Sequence, residues 1–150
     1  MIVNTNLLEA IAAIASPVIT LTGFILIYLQ IKELKKSTLG GTYGALYAQQ
    51  HSIHQFFIEN PSFRAFFYGS QEIDHTHQDY EKVMAIAEMV GDFFEHIYLQ
   101  KHNLPKDTWI GWQNYMLTIY QNSPALEEHF RSKRMWYGEK VVRLLKYAES

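Results

Sequence analysis

AIAAIASPVITLTGFILIYLQI, residues 10–31, is the stretch on which the reading of the whole chain turns. It holds no Asp, Glu, Lys or Arg, and its polar interruptions are Ser16, Thr20, Thr22 and Gln30. A soluble helix of this length carries a polar face; this one has none. About 20 helical residues cross a hydrocarbon core of about 30 Å, so the run predicts a transmembrane helix. Ser and Thr hydroxyls bond back to carbonyls of their own helix, which keeps their cost in lipid low. Pro17 withholds one amide donor and predicts a kink, which transmembrane helices tolerate.

The flanks choose between an anchor and a cleaved leader. A signal peptide opens on a basic region and has a shorter apolar run, whereas residues 1–9 (MIVNTNLLE) contain no Lys or Arg. Lys32, Lys35 and Lys36 follow the span, which is the positive-inside pattern, and Tyr28 suits the interfacial belt. The predicted topology is an extracytoplasmic N-terminus over 1–9, a span over 10–31, a juxtamembrane linker over 32–41 and a cytoplasmic helical domain over 42–150, all at the inner membrane. The three lysines are candidates for contact with membrane lipid. Within the span, Ala12, Ser16 and Thr20 recur every four residues and Gly23 follows. Small residues at this spacing let a second helix approach closely, so they are candidate packing positions for a homo-oligomer or a membrane-protein partner. The plainer alternative is that small residues are common in any span.

Beyond the span, the chain reads as a single all-α domain. Its 150 residues leave room for one core without covalent staples. With no Cys, disulfides, zinc-thiolate sites and cysteine nucleophiles are excluded together. Thirteen Lys and Arg against 15 Asp and Glu give a net charge of −2, which offers no basic excess for a nucleic-acid polymer. Ten Tyr, nine Phe and three Trp supply much buried area per residue. Ser37 to Thr42, with Gly40 and Gly41, predicts a break, and Thr42 is the expected cap of a helix over 43–59 with Leu46, Ile53, Phe56 and Phe57 inward. A short helix over 62–68 follows Asn60-Pro61. The strongest helix is expected over 80–102, capped by Asp79, with Val83, Ile86, Ala87, Val90, Phe93, Phe94 and Ile97 on one face. Helices over 106–122, 124–132 and 136–149 complete an irregular bundle of about four main helices plus short ones. Asn60 to Tyr68 and Asn122 to Phe130 echo each other, each setting Asn and Pro before a short aromatic helix.

The span, the Asn60-Pro61-Ser62-Phe63-Arg64 corner and the acidic-aromatic helix from Glu88 to Tyr98 together carry a resemblance. Trp109-x-x-Trp112, Ser123-Pro124-Ala125-Leu126 and Trp136-Tyr137 extend it over most of the chain. The pattern resembles bacterial membrane-anchored, all-helical proteins grouped as domains of unknown function. The resemblance implies an architecture and no chemistry.

Three constellations are candidates for chemistry. Glu88, Asp92 and Glu95 or His96 lie along one stripe of the strongest helix, and His51 and His54 stand three apart on another. Facing carboxylates and imidazoles build metal sites in bundles, but the paired Glu-x-x-His signature is missing. The alternative is a solvated face, or pairing of Glu88 and Asp92 with Arg64 or Arg131. His75 and His77 form a loop pair without a third ligand. Arg131, Lys133 and Arg134 beside Trp136 and Tyr137 form a basic-aromatic cluster suited to anionic lipid or another anionic ligand, or to the dipole of a helix end. No glycine-rich phosphate loop, nucleophile elbow or zinc-protease helix is present. No catalytic residue or cofactor is therefore assigned. The expectation is a non-enzymatic, membrane-tethered interaction module, either a small subunit of a membrane complex or an oligomeric sensor or effector. The alternative expectation is a metal-dependent or nucleotide-activated effector.

Overall fold

The computed structural model describes residues 5–146, with side chains from residue 13. Among these residues there are six α-helices and no strand: α1 (Thr5–Glu59), α2 (Ala65–Tyr68), α3 (Tyr80–Leu99), α4 (Lys106–Gln121), α5 (Pro124–Ser132) and α6 (Glu139–Lys146). Two 3-10 turns, Pro61–Phe63 and Arg134–Trp136, precede α2 and α6. The chain divides into two compact units that meet between Gly40 and Gly41.

The first unit contains one helix long and apolar enough to cross a membrane, and its apolar window is not buried within the chain. From Ile14 to Leu34 the large hydrophobic side chains are 48–71% exposed. As the sequence predicts, Thr20 Oγ1 donates to the Ser16 carbonyl at 2.9 Å and Thr22 Oγ1 to Val18 at 2.8 Å. Ser16 and Thr20 are exposed and Gly23 is half-buried. The Ala12 side chain and residues 1–4 lie outside the described residues.

The break expected at Ser37 to Thr42 does not form, because α1 runs through it. Neither glycine takes a positive φ. Each costs the helix about 1 kcal/mol relative to Ala. Ending the helix would strand four carbonyls and, at a restart, four amides, and no proline forces the issue. Thr42 is accordingly a buried position inside the helix, not a cap.

In the second unit, Thr42, Leu46, Ile53 and Phe57 form the buried stripe of α1, and Phe56 is half-buried. Asn60 closes that helix by donating from Nδ2 to the Phe56 carbonyl at 3.1 Å. Asn122 does the same to Thr118 at the end of α4, at 2.7 Å. The shared device of the two echoing segments is therefore closure of the preceding helix. The segments also touch: Ser123 Oγ donates to the Phe66 carbonyl at 2.8 Å while accepting the Leu126 amide as the α5 cap. Asp79, by contrast, makes no side-chain cap for α3. Its backbone (φ −98°, ψ 7°) is outside the extended region an N-cap needs.

All seven apolar positions predicted for α3 are buried. Its helix stops at Leu99, three residues earlier than the pattern implies, and Gln100 to Asn103 turn toward α4. Nine-residue α5 is the hub, packing on α2, α3 and α4. Gly91 on α3 makes room for the last part of the chain: a Cβ there would stand 2.7 Å from the Tyr137 hydroxyl oxygen and 3.4 Å from Phe130. Tyr137 is extended to reach this notch (φ −111°, ψ 149°). That is why α6 begins at Glu139 and not near Trp136. Residues 147–149 of the predicted last helix lie outside the described residues.

Candidate interaction groove

A groove of about 400 Å³ lies between α3 and the end of α5. On one wall, successive turns of α3 present Tyr80, Glu81, Met84, Ala85 and Glu88, positions that share a face through their spacing of three and four. The other wall comes from the end of α5 and the following 3-10 turn, with Ser132, Lys133 and Trp136. Trp136 is 58% exposed and Met135 beside it 93%. Lys133 Nζ lies 4.7 Å from the centroid of the Trp136 ring, so the cation lies over its π face.

His129 lines the bottom and is fully buried. Its Nε2 lies 2.8 Å from the Tyr137 hydroxyl, and the Asp92 carboxylate acts electrostatically on the same hydroxyl. Buried His129 on α5 is thus linked through Tyr137 to the field of exposed Asp92 on α3. Glu95 Oε1 accepts the Gly138 amide at 2.7 Å and pins the turn beyond Tyr137. Burial raises the Tyr137 hydroxyl well above the usual phenol range, and Asp92, Glu88 and Glu95 add to the rise.

Burial lowers the His129 imidazole below its ordinary 6.5, and Lys133 reinforces this while Glu88 and Asp92 oppose it. The folded domain therefore prefers neutral His129 more strongly than the unfolded chain does. Below pH 6.5 the unfolded state takes up the proton first, so stability is full above that value and is lost as pH falls through the folded pKa. Thermal melts of the full chain in detergent are expected to show this fall in acid. His129→Gln, whose amide N–H still reaches a hydroxyl oxygen, is expected to flatten it. An unchanged acid slope in that variant would remove His129 as its source.

The other nominated residues go elsewhere. His51 and His54 are exposed on α1, and His96 Nδ1 meets Gln49 at 2.8 Å. Glu88 lines the groove, and Asp92 acts on the Tyr137 hydroxyl. Among the described residues no group of three His, Asp or Glu side chains is gathered to hold a metal. Arg64 covers the Tyr68 ring at 4.5 Å. Arg131 and Arg134 are exposed, and Arg131 lines a smaller cleft with Glu72, Glu127 and Glu128. The loop histidines separate. His75 Nε2 approaches Glu128 at 3.5 Å, while His77 faces Asp79 at 3.9 Å. Glu128 also accepts the Tyr80 hydroxyl at 2.7 Å, a bond that pushes this phenol up to about 12.

Sequence reasoning named Tyr137 within the basic-aromatic cluster but missed His129 and Gly91. One signal was present, an isolated glycine inside the most strongly periodic helix. Comparison of the chain with protein families, with curated proteins and with solved structures gave no match.

Proposed function

We propose that this protein is a membrane-tethered, non-enzymatic interaction module, with residues 10–31 as an uncleaved inner-membrane span and residues 42–150 as a cytoplasmic domain. One observation carries the reading. An uncharged run of large hydrophobic side chains from Ile14 to Ile31 stays 48–71% exposed in the folded chain. Burying one such side chain is worth about 1.5–3 kcal/mol, so a run this long calls for a non-aqueous surrounding. Lys32, Lys35 and Lys36 favour the cytoplasmic side for the helical domain.

The groove between α3 and α5 is the docking site of the module. Trp136 and Met135 supply exposed apolar area of the kind that anchors protein interfaces. One wall is acidic through Glu81 and Glu88 and the other cationic through Lys133. A phosphate drawn to Lys133 would meet those carboxylates, so the mixed charge favours a polypeptide over a nucleotide. The partner is another membrane protein or a second copy of the chain. Native mass spectrometry of the full chain, released from membranes in mild detergent, tests this. The expected result is a species heavier than the 17.5 kDa monomer. A strictly monomeric species with no co-purifying protein would overturn the interaction reading.

A further inference from the structure

The helical domain has one end almost free of carboxylates, and it is the end at which the chain enters. The domain begins at Gly41, ten residues after Ile31. Near that point Tyr43 Oη lies 2.9 Å from Thr108 Oγ1, Tyr47 packs on Trp112 at 5.6 Å between ring centroids, and Gln49 meets His96. These contacts place the C-terminus of α3, the N-terminus of α4 and the corner between them beside the entry of α1 into the bundle. No Asp or Glu occurs from residue 41 to 58, and from residue 97 to 126 Asp107 is the single carboxylate. Lys101 and Lys106 lie on this corner.

The same corner carries exposed apolar and aromatic groups. Leu99 is 68% exposed and Ile110 46%. The Tyr98 and Trp109 rings meet edge-on at 5.9 Å and are half-buried. Lys101 Nζ sits 4.4 Å from the centroid of the Tyr98 ring. Tyr and Trp over apolar side chains, with lysines beside them, is the composition that settles at a lipid headgroup layer. Lys133 and Trp136 of the basic-aromatic cluster lie along the N-terminal half of α3. At about 1.5 Å per residue, Ala85 in its groove is about 20 Å along the helix from Leu99. That cluster is left to a protein partner.

The geometry points to the α3–α4 corner, with Leu99, Lys101, Lys106 and Ile110, as a surface that docks on anionic membrane lipid. The inference rests on the span proposed above. Gly41 follows Ile31 by only ten residues, so the domain is tethered to the leaflet, whose anionic lipid attracts its lysines. Docking orients the groove away from the bilayer, toward a partner.

The chain has no native cysteine, so Leu99→Cys, Ile110→Cys and Met135→Cys each give a unique attachment point for a nitroxide. Each full-length variant is reconstituted in phosphatidylcholine vesicles with and without phosphatidylglycerol, and access to oxygen is compared with access to a water-soluble nickel chelate. With phosphatidylglycerol, labels at 99 and 110 are expected to favour oxygen while the label at 135 stays in water. Lys101→Gln and Lys106→Gln are each expected to lower the ratio of docked to undocked protein roughly five-fold. Labels at 99 and 110 as water-accessible as 135, or equal lipid contact without phosphatidylglycerol, would overturn the docking surface while leaving the span intact. Release of the unlabelled chain from vesicles by alkaline carbonate would overturn the span itself.

Discussion

A chain carrying Leu21→Arg and Ile25→Arg together is expected to leave the membrane fraction. Wild-type protein is expected to float with membranes in a density gradient after carbonate treatment. Arginine near the centre of a spanning helix costs about 2.5–3.5 kcal/mol on insertion scales, and the Leu or Ile it replaces was favourable by about 0.5. The pair therefore shifts insertion by about 6–8 kcal/mol, enough to reverse it. Both positions are 60% exposed or more and touch no core of the chain. The helical domain of the variant is accordingly expected to keep its far-ultraviolet circular dichroism and its melting temperature. Flotation separates membrane insertion from aggregation, since aggregates sink. A double variant that floats as wild type does would mean that the run is covered by protein, and the anchored reading would fall.

How far the fold can be read from sequence depends on whether the deciding contact is local. The α3 stripe from Val83 to Ile97 was legible in full, because burial of one helical face imposes a period that needs no knowledge of the partner. The start of α5 at Pro124 was legible for a similar reason, since Ser123 solves its capping problem within three residues. The Gly40 and Gly41 pair misled because glycine's preference is a local quantity of about 1 kcal/mol, while helix continuity is cooperative along the chain. Asp79 misled likewise: residue type is favourable for a cap, but backbone geometry set by the preceding loop withholds it.

The candidate site was legible only in pieces. Glu88 and Asp92 were singled out as one stripe and Trp136 as part of a basic-aromatic cluster, but nothing in their spacing joins the two. What joins them is Tyr137, seated in the notch at Gly91 and bonded to His129. Contacts across this range of sequence leave no periodic trace. The same holds for the α3–α4 corner, whose Leu99 and Lys101 read as the end of an ordinary helix until Tyr43 and Gln49 place it beside the chain entry.

Phe130→Ala is expected to cost the helical domain more than any other truncation around the groove. The ring is fully buried and lies 4.5 Å from Tyr137 and 5.9 Å from Tyr120, centroid to centroid. Removing a buried Phe side chain typically costs about 3–5 kcal/mol, against a total stability of about 5–15 kcal/mol for a domain. The upper part of that range applies, because the cavity would open beside Tyr137 and loosen its hold in the Gly91 notch. At about 4–8 °C per kcal/mol for a domain near 100 residues, a loss of about 4 kcal/mol or more should lower the melting temperature by at least roughly 16 °C. Trp136 fluorescence should shift at temperatures below the main transition, since the 3-10 turn that carries it is held by Tyr137 and by the Glu95 bond to Gly138. Membrane flotation should not change, because the span shares no core with this ring. A loss below about 1 kcal/mol, far under the typical cost of such a truncation, would mean that α5 and the chain beyond it are not part of the cooperative core. The groove would then lack the rigid base that selective docking requires.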